Sequence, residues 1–120
     1  MPDKCGTYSV DRERVRCGRA ALLPDEQTRD IAELFKVLAH PTRVKLIRAL
    51  ASGEMCVCEI SEVVGLSISA TSHQLHQLHD LRLVHSRSEG KRVHYSLQAP
   101  FLVSLLDDCA GHVSEQGGRS

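Results

Sequence analysis

No apolar run in the sequence approaches the roughly 20 residues that a membrane-spanning helix needs, which excludes a bilayer-spanning helical protein. Its opening, Met1-Pro2-Asp3-Lys4-Cys5, lacks the apolar stretch of a secretion signal, so a cytoplasmic protein is expected. Net charge is also missing, because 15 Lys and Arg balance 15 Asp and Glu. That balance argues against a generic polyanion binder and shifts attention to how the charge is distributed. There are no internal repeats and no low-complexity tracts. A Ser-His-Asp order, a phosphate loop and paired carboxylates in a plausible pocket are absent too, so an enzyme is not expected.

What is present is uneven. Residues 82–92 carry Arg82, Arg87, Lys91 and Arg92 against Glu89, and the C-terminal segment is acidic at Asp107, Asp108 and Glu115. The five cysteines are an odd number, so they cannot all pair within one chain. In a reducing compartment such a count points to metal or redox chemistry rather than a disulfide framework.

The 120 residues fit one domain of ordinary size. Residues 1–23 are polar, carry no clear period, and are expected to form a flexible arm bearing Cys5 and Cys17. Residues 24–116 are expected to form the folded domain and 117–120 a disordered tail. Ile31, Leu34, Phe35 and Leu38 follow the i, i+3, i+4, i+7 stripe of a helix over 25–39. Pro41 opens a second helix with Val44, Ile47 and Leu50 inward, stopped by Ser52-Gly53. A short helix over 58–64 places Ile60, Val63 and Val64 inward and ends at Gly65. Ser67 or Ser69 caps a further helix that runs to 81. Alternating segments at 84–87 and 93–97 flank a turn at 88–91, which predicts a hairpin. Pro100 starts a final helix with the stripe Leu102, Leu105, Leu106, Cys109 and Val113. The expected fold is mainly α with a small β-hairpin, in the order of a winged helix-turn-helix.

On the helix that follows the Gly65 turn, Leu75 and Leu78 lie on one side, with small or hydrogen-bonding residues opposite. A recognition helix in a DNA major groove needs that arrangement. The candidate DNA contacts are Ser67, Ser69, Ala70, Thr71, Ser72, His73, Gln74 and Gln77, with Gln74 and Gln77 expected to read base edges. Arg87, Lys91 and Arg92 on the hairpin are expected to follow the phosphate backbone as a wing. A polar helical face alone is more often merely solvated. Helix-turn-helix followed at once by a basic hairpin is more specific. His73, His76 and His79 have spacing that suits a shared metal, but their place just after the turn assigns them to the DNA face instead, with His79 rotated toward the core edge.

The segment Glu54-Met55-Cys56-Val57-Cys58-Glu59-Ile60 carries the thiol chemistry. Residues two apart diverge inside a helix, whereas at a helix start both sulfurs can converge. A helix N-terminus also favours the thiolate, the form that binds metal. Cys56 and Cys58 supply two ligands, a closed tetrahedral site takes about four, and Cys17 and Cys5 on the arm are candidates for the others. Sulfur donors select Cd(II), Pb(II) or Zn(II) over Mg(II) and Ca(II). The plainer reading makes Cys56 and Cys58 small buried residues. Cys109, on the apolar stripe of the last helix, is expected in the core.

The segments Leu38-Ala39-His40-Pro41-Thr42-Arg43, Glu54 to Ile60, Ser69-Ala70-Thr71-Ser72-His73-Gln74-Leu75 and Glu89-Gly90-Lys91-Arg92-Val93-His94-Tyr95 resemble the ArsR/SmtB family of metal-sensing winged-helix repressors. The likeness covers residues 25–115, and the second segment resembles the family's ELCVCDL box. It implies a homodimer built from the first and last helices, a two-fold symmetric double-stranded operator, and repression relieved by metal. In the cadmium- and lead-sensing branch, arm cysteines join the Cys-x-Cys pair across the dimer. Cys56 and Cys58 match that pair, while Cys5 and Cys17 match the arm cysteines by kind only. Other relatives bind zinc between their last helices. Here His112 and Glu115 match two of those ligands, Ala99 and Phe101 replace the other two, and a complete site of that type is not expected. Cys109 with His112 would make a different one. Two other readings are open at this point: a thiol-redox switch on the same cysteines, and a protein-interaction module held by structural zinc.

Overall fold

The computed structural model describes residues 9–116. Its first element is a helix, α1 (Arg12–Ala21), inside the segment expected to be an arm without regular structure. The physical reason is local. Asp11 caps the helix by accepting from the backbone N–H of Glu13 at 2.9 Å and of Arg14 at 3.1 Å. Arg16 pairs with Glu13 one turn away. No residue of α1 is buried, so it carries no apolar stripe for a periodicity reading to find. Helix α2 (Asp25–Leu38) follows, with Asp25 and Glu26 at its positive end.

The chain divides into two units, one up to Val37 and one from Leu38 onward. The second holds α3 (Pro41–Leu50), β1 (Met55–Cys56), α4 (Val57–Val64), α5 (Ile68–Asp80), β2 (Val84–Glu89), β3 (Arg92–Leu97) and α6 (Phe101–Gln116). Its core is mainly aliphatic. Leu46, Ile47 and Leu50 of α3, Ile60 of α4, Leu75 and Leu78 of α5, Val84 of β2, Tyr95 of β3 and Leu102 of α6 are buried. At about 1.5–3 kcal/mol for each fully buried large apolar side chain, these contacts are what hold the unit together.

Helices α4 and α5 are joined by Gly65, which ends α4 at φ 76°. That left-handed conformation suits a residue without Cβ. Ser61 closes the turn, its hydroxyl donating to the Leu66 carbonyl at 2.6 Å. Antiparallel β2 and β3 form the hairpin, with Glu89 opposite Arg92 at the tip and Gly90 at φ 63°. The strands thus extend to Glu89 and Arg92, past the predicted 88–91 turn boundary. A short strand that the alternation did not reveal, β1, pairs with β3 and completes a sheet of order β1-β3-β2. With β1, this is a winged helix-turn-helix: helix, turn, recognition helix, wing.

Several inward assignments fail: Ile31 and Phe35 of the α2 stripe and Val113 of the α6 stripe are exposed, as are Val63 and Cys109. Val63 is 63% exposed, because α4 is only two turns long and its inner side is filled by Ile60 and Ser61. Cys109 is exposed, not core: α6 buries Leu102 near its start, and by the level of Cys109 the helix has left the core. Among the described residues, no helix is long and apolar enough to cross a membrane.

Candidate nucleic-acid interface and thiol site

Helix α5, which follows the Gly65 turn, is well anchored. Ser67 caps α5, its hydroxyl accepting from the Ala70 backbone N–H at 3.0 Å. Thr71, Leu75 and Leu78 face the core. Ser69, Ala70, His73 and His76 are exposed on the other side. Thr71 therefore leaves the candidate DNA contacts: it is fully buried, and its hydroxyl donates to the Ser67 carbonyl at 2.8 Å. Gln74 and Gln77 are half-buried and engaged from α3. Arg43 Nε donates to Gln74 Oε1 at 3.1 Å, and Arg43 Nη2 donates to Gln77 Oε1 at 2.7 Å. Nothing in the linear spacing pointed to that pairing.

On the wing, Arg87 is bound on two sides. Its Nε and Nη2 donate to Glu54 Oε2 and Oε1 at 3.1 and 2.7 Å, and Nη1 lies 3.4 Å from Glu89 Oε1. The pair holds the Glu54 carboxyl below its ordinary range and the guanidinium above its own. His94 Nε2 lies 3.6 Å from the same Glu89 oxygen. Arg87, expected on phosphate, thus has its charge matched within the protein. Lys91 and Arg92 are exposed at the tip.

The two central thiols sit where strand becomes helix. Cys56 is the N-cap of α4, in extended conformation at φ −80° and ψ 164°. It is also the residue of β1 opposite His94. Its backbone N–H donates to Glu59 Oε1 at 2.9 Å, and its thiol lies beside that carboxylate. Together they hold Glu59 below its ordinary range, the backbone bond counting most. Cys56 is 3% exposed, while Cys58, two residues further on, is exposed. Both border a cleft of about 250 Å³ shared with Ile68 and Ser72 of α5 and with Lys91, Arg92 and Val93 at the wing tip. Glu59 was missed as a site residue, although the N-cap and N3 spacing of Cys56 and Glu59 is that of a capping box.

The donor chemistry fits a thiophilic cation in kind but not yet in number. All the described cysteines are free thiols, yet no three His, Cys, Asp or Glu among the described residues lie close enough to hold an ion. Cys17 is exposed on α1, 3.8 Å from Glu13 Oε2. Cys109, His112 and Glu115 are exposed on α6, and Cys5 lies outside the described residues.

Comparison with known proteins gives a consistent set of likenesses. Residues 40–86 match the family model described as bacterial regulatory protein, arsR family. Over 111 residues the chain is 38% identical to a transcriptional repressor SmtB homolog of Synechocystis sp., spanning 92% of this chain and 84% of that protein. Over 114 residues it is 32% identical to a cadmium resistance transcriptional regulatory protein CadC homolog of Staphylococcus aureus, spanning 94% and 93%. Among solved structures, the crystal structure of the AntR antimony-specific transcriptional repressor superposes with a TM-score of 0.74 at 28% identity, over 98% of both chains.

Proposed function

This chain belongs to the ArsR family of bacterial regulatory proteins, and from that membership we propose that it is a repressor whose grip on a two-fold symmetric operator is released by a soft metal ion, Cd(II), Pb(II) or Zn(II), at Cys56 and Cys58. It acts as a homodimer and catalyses no reaction. The relatives' names support the class: one is a repressor, another a cadmium resistance regulator.

The observation that carries the reading is the cleft. It sets the thiols of Cys56 and Cys58 beside Ile68 and Ser72 in the first turns of α5 and beside Lys91 and Arg92 at the wing tip. A change at the thiols is therefore felt by both DNA-facing elements. When bound, the ion supplies a centre that holds sulfur in thiolate form. Cys56 has to give up its contact with the Glu59 carboxylate and turn toward Cys58, and β1 passes that movement to β3 through the pairing of Cys56 with His94. The remaining sulfurs come from Cys17 and Cys5. The coupling required is modest, about 1–3 kcal/mol for a useful response.

The test is operator binding by fluorescence anisotropy with and without Cd(II). Affinity should fall on adding the ion, and the double variant Cys56→Ser, Cys58→Ser should keep DNA binding and lose the response. Thiolate-to-metal absorption in an ultraviolet titration should report the number of sulfurs. Indifference to Cd(II), Pb(II) and Zn(II) in both measurements would overturn the reading, and release by peroxide without metal would replace it with thiol oxidation.

A further inference from the structure

Arg43 is half-buried on α3, and its guanidinium addresses two side chains one helical turn apart on α5. Arginine carries donors only, so each glutamine must turn its carbonyl oxygen inward to meet it. A glutamine that reads adenine needs that same oxygen, accepting at Oε1 while donating from Nε2. With Oε1 engaged at 3.1 Å in Gln74 and at 2.7 Å in Gln77, each carbonyl has one of its two lone pairs committed on the α3 side, so neither amide is free to swing its bidentate edge onto a base.

The apolar seat of α5 does not do the same job. Thr71, Leu75 and Leu78 hold the helix against the core, but hydrophobic contact is non-directional and tolerates some rotation about the helix axis. Two hydrogen bonds from one planar fork, on one flank of the helix, do not. We infer that Arg43 is a positioning residue for DNA reading: it pins Gln74 and Gln77 by their carbonyl oxygens, fixes the roll of α5, and removes both glutamines from base readout. The reading is then left to the exposed face of Ser69, Ala70 and His73. This inference rests on the DNA-reading role proposed above for α5.

The test begins with selection of a preferred duplex from a random pool by the wild-type protein, followed by affinity measurements on every single-base variant of it and over a range of salt. Arg43→Met and Arg43→Lys should both weaken binding by about tenfold, the loss expected for two modest hydrogen bonds, because Lys keeps the charge but not the fork. The salt slope of Arg43→Met should match wild type, whereas loss of a phosphate contact would lower it by about one. Gln74→Ala, Gln77→Ala should weaken binding to all variants alike. Gln74→Glu, Gln77→Glu keeps acceptors for the guanidinium and should retain the wild-type pattern of base preference. Relaxed discrimination at one base pair in the alanine variant, or a lowered salt slope in Arg43→Met, would overturn the assignment.

A readout without DNA separates this inference from the function on which it rests. The side-chain amide resonances of Gln74 and Gln77 in the free protein should shift in Arg43→Met. Unmoved resonances overturn the pin. Failure of the wild type to enrich any duplex overturns the DNA-binding reading and, with it, the role in readout. If Arg43→Met does not fold by circular dichroism, Arg43→Lys and the glutamate variant decide between the outcomes.

Discussion

Two cysteines separated by a single valine meet different environments. Cys56, as last residue of β1 and N-cap of α4, is turned into the protein, while Cys58 stands on the first turn of the helix and faces solvent. Access largely governs thiol modification. Limited alkylation followed by peptide mass mapping should therefore label Cys17, Cys58 and Cys109 before Cys56, and prior Cd(II) should protect Cys58. Equal labelling of Cys56 and Cys58 would contradict the geometry. Tyr95 offers a second residue-scale test. It is 2% exposed, and burial pushes its phenol above the ordinary value. Because the folded-state value is the higher one, the stabilising contribution is complete below the unfolded value of about 10 and is lost as pH rises through the raised value. Urea unfolding at pH 8 and at pH 11 should show Tyr95→Phe gaining on the wild type at the higher pH.

At the scale of elements, the ends of the helices do much of the positioning. Gly65 closes α4 in the left-handed region, and Gly65→Ala should lower stability by about 1 kcal/mol. Arg82, just past α5, occupies the same region at φ 62° with a side chain that disfavours it. Arg82→Gly should consequently raise stability by up to about 1 kcal/mol. Both changes are measurable as shifts of the urea midpoint at constant slope. The wing depends on more than its own hairpin. Through β1 and the Glu54–Arg87 pair it is tied to the thiol segment, so the sheet is the element through which the ligand proposed at Cys56 would reach Lys91 and Arg92. Exposed ion pairs contribute little to stability, and the strand pairing is the firmer link.

At the scale of the whole molecule, the notable feature is apolar surface left outside. Phe35 on α2 is 52% exposed and Phe101 on α6 is 55% exposed, with Ile31 and Val113 exposed on the same two helices. Exposed large apolar side chains of this kind mark interaction sites, and a second copy of the chain is the partner expected from the family. Sedimentation equilibrium should find a dimer. Phe35→Asp and Phe101→Asp should each shift it toward monomer and weaken operator binding, because two half-sites can no longer be held together. A wild-type monomer that still binds a symmetric duplex with full affinity would contradict this.

Chain order alone was enough for the helix-turn-helix and the wing, because apolar periodicity, Gly65, Pro41 and the 88–91 turn are local signals. It was enough as well for the Cys-x-Cys pair, whose spacing is itself the signal. Helix α1 stayed hidden since it buries nothing, and β1 since two residues are too few to alternate. The tertiary structure decided what depends on neighbours remote in sequence. Arg43 meets glutamines 31 and 34 positions away, Arg87 meets Glu54 33 positions away, and Thr71 turns inward among core leucines. Burial and partnership are properties of the packed chain, so the same residue types that advertise DNA contact in a linear reading were divided by packing between the surface and the scaffold beneath it.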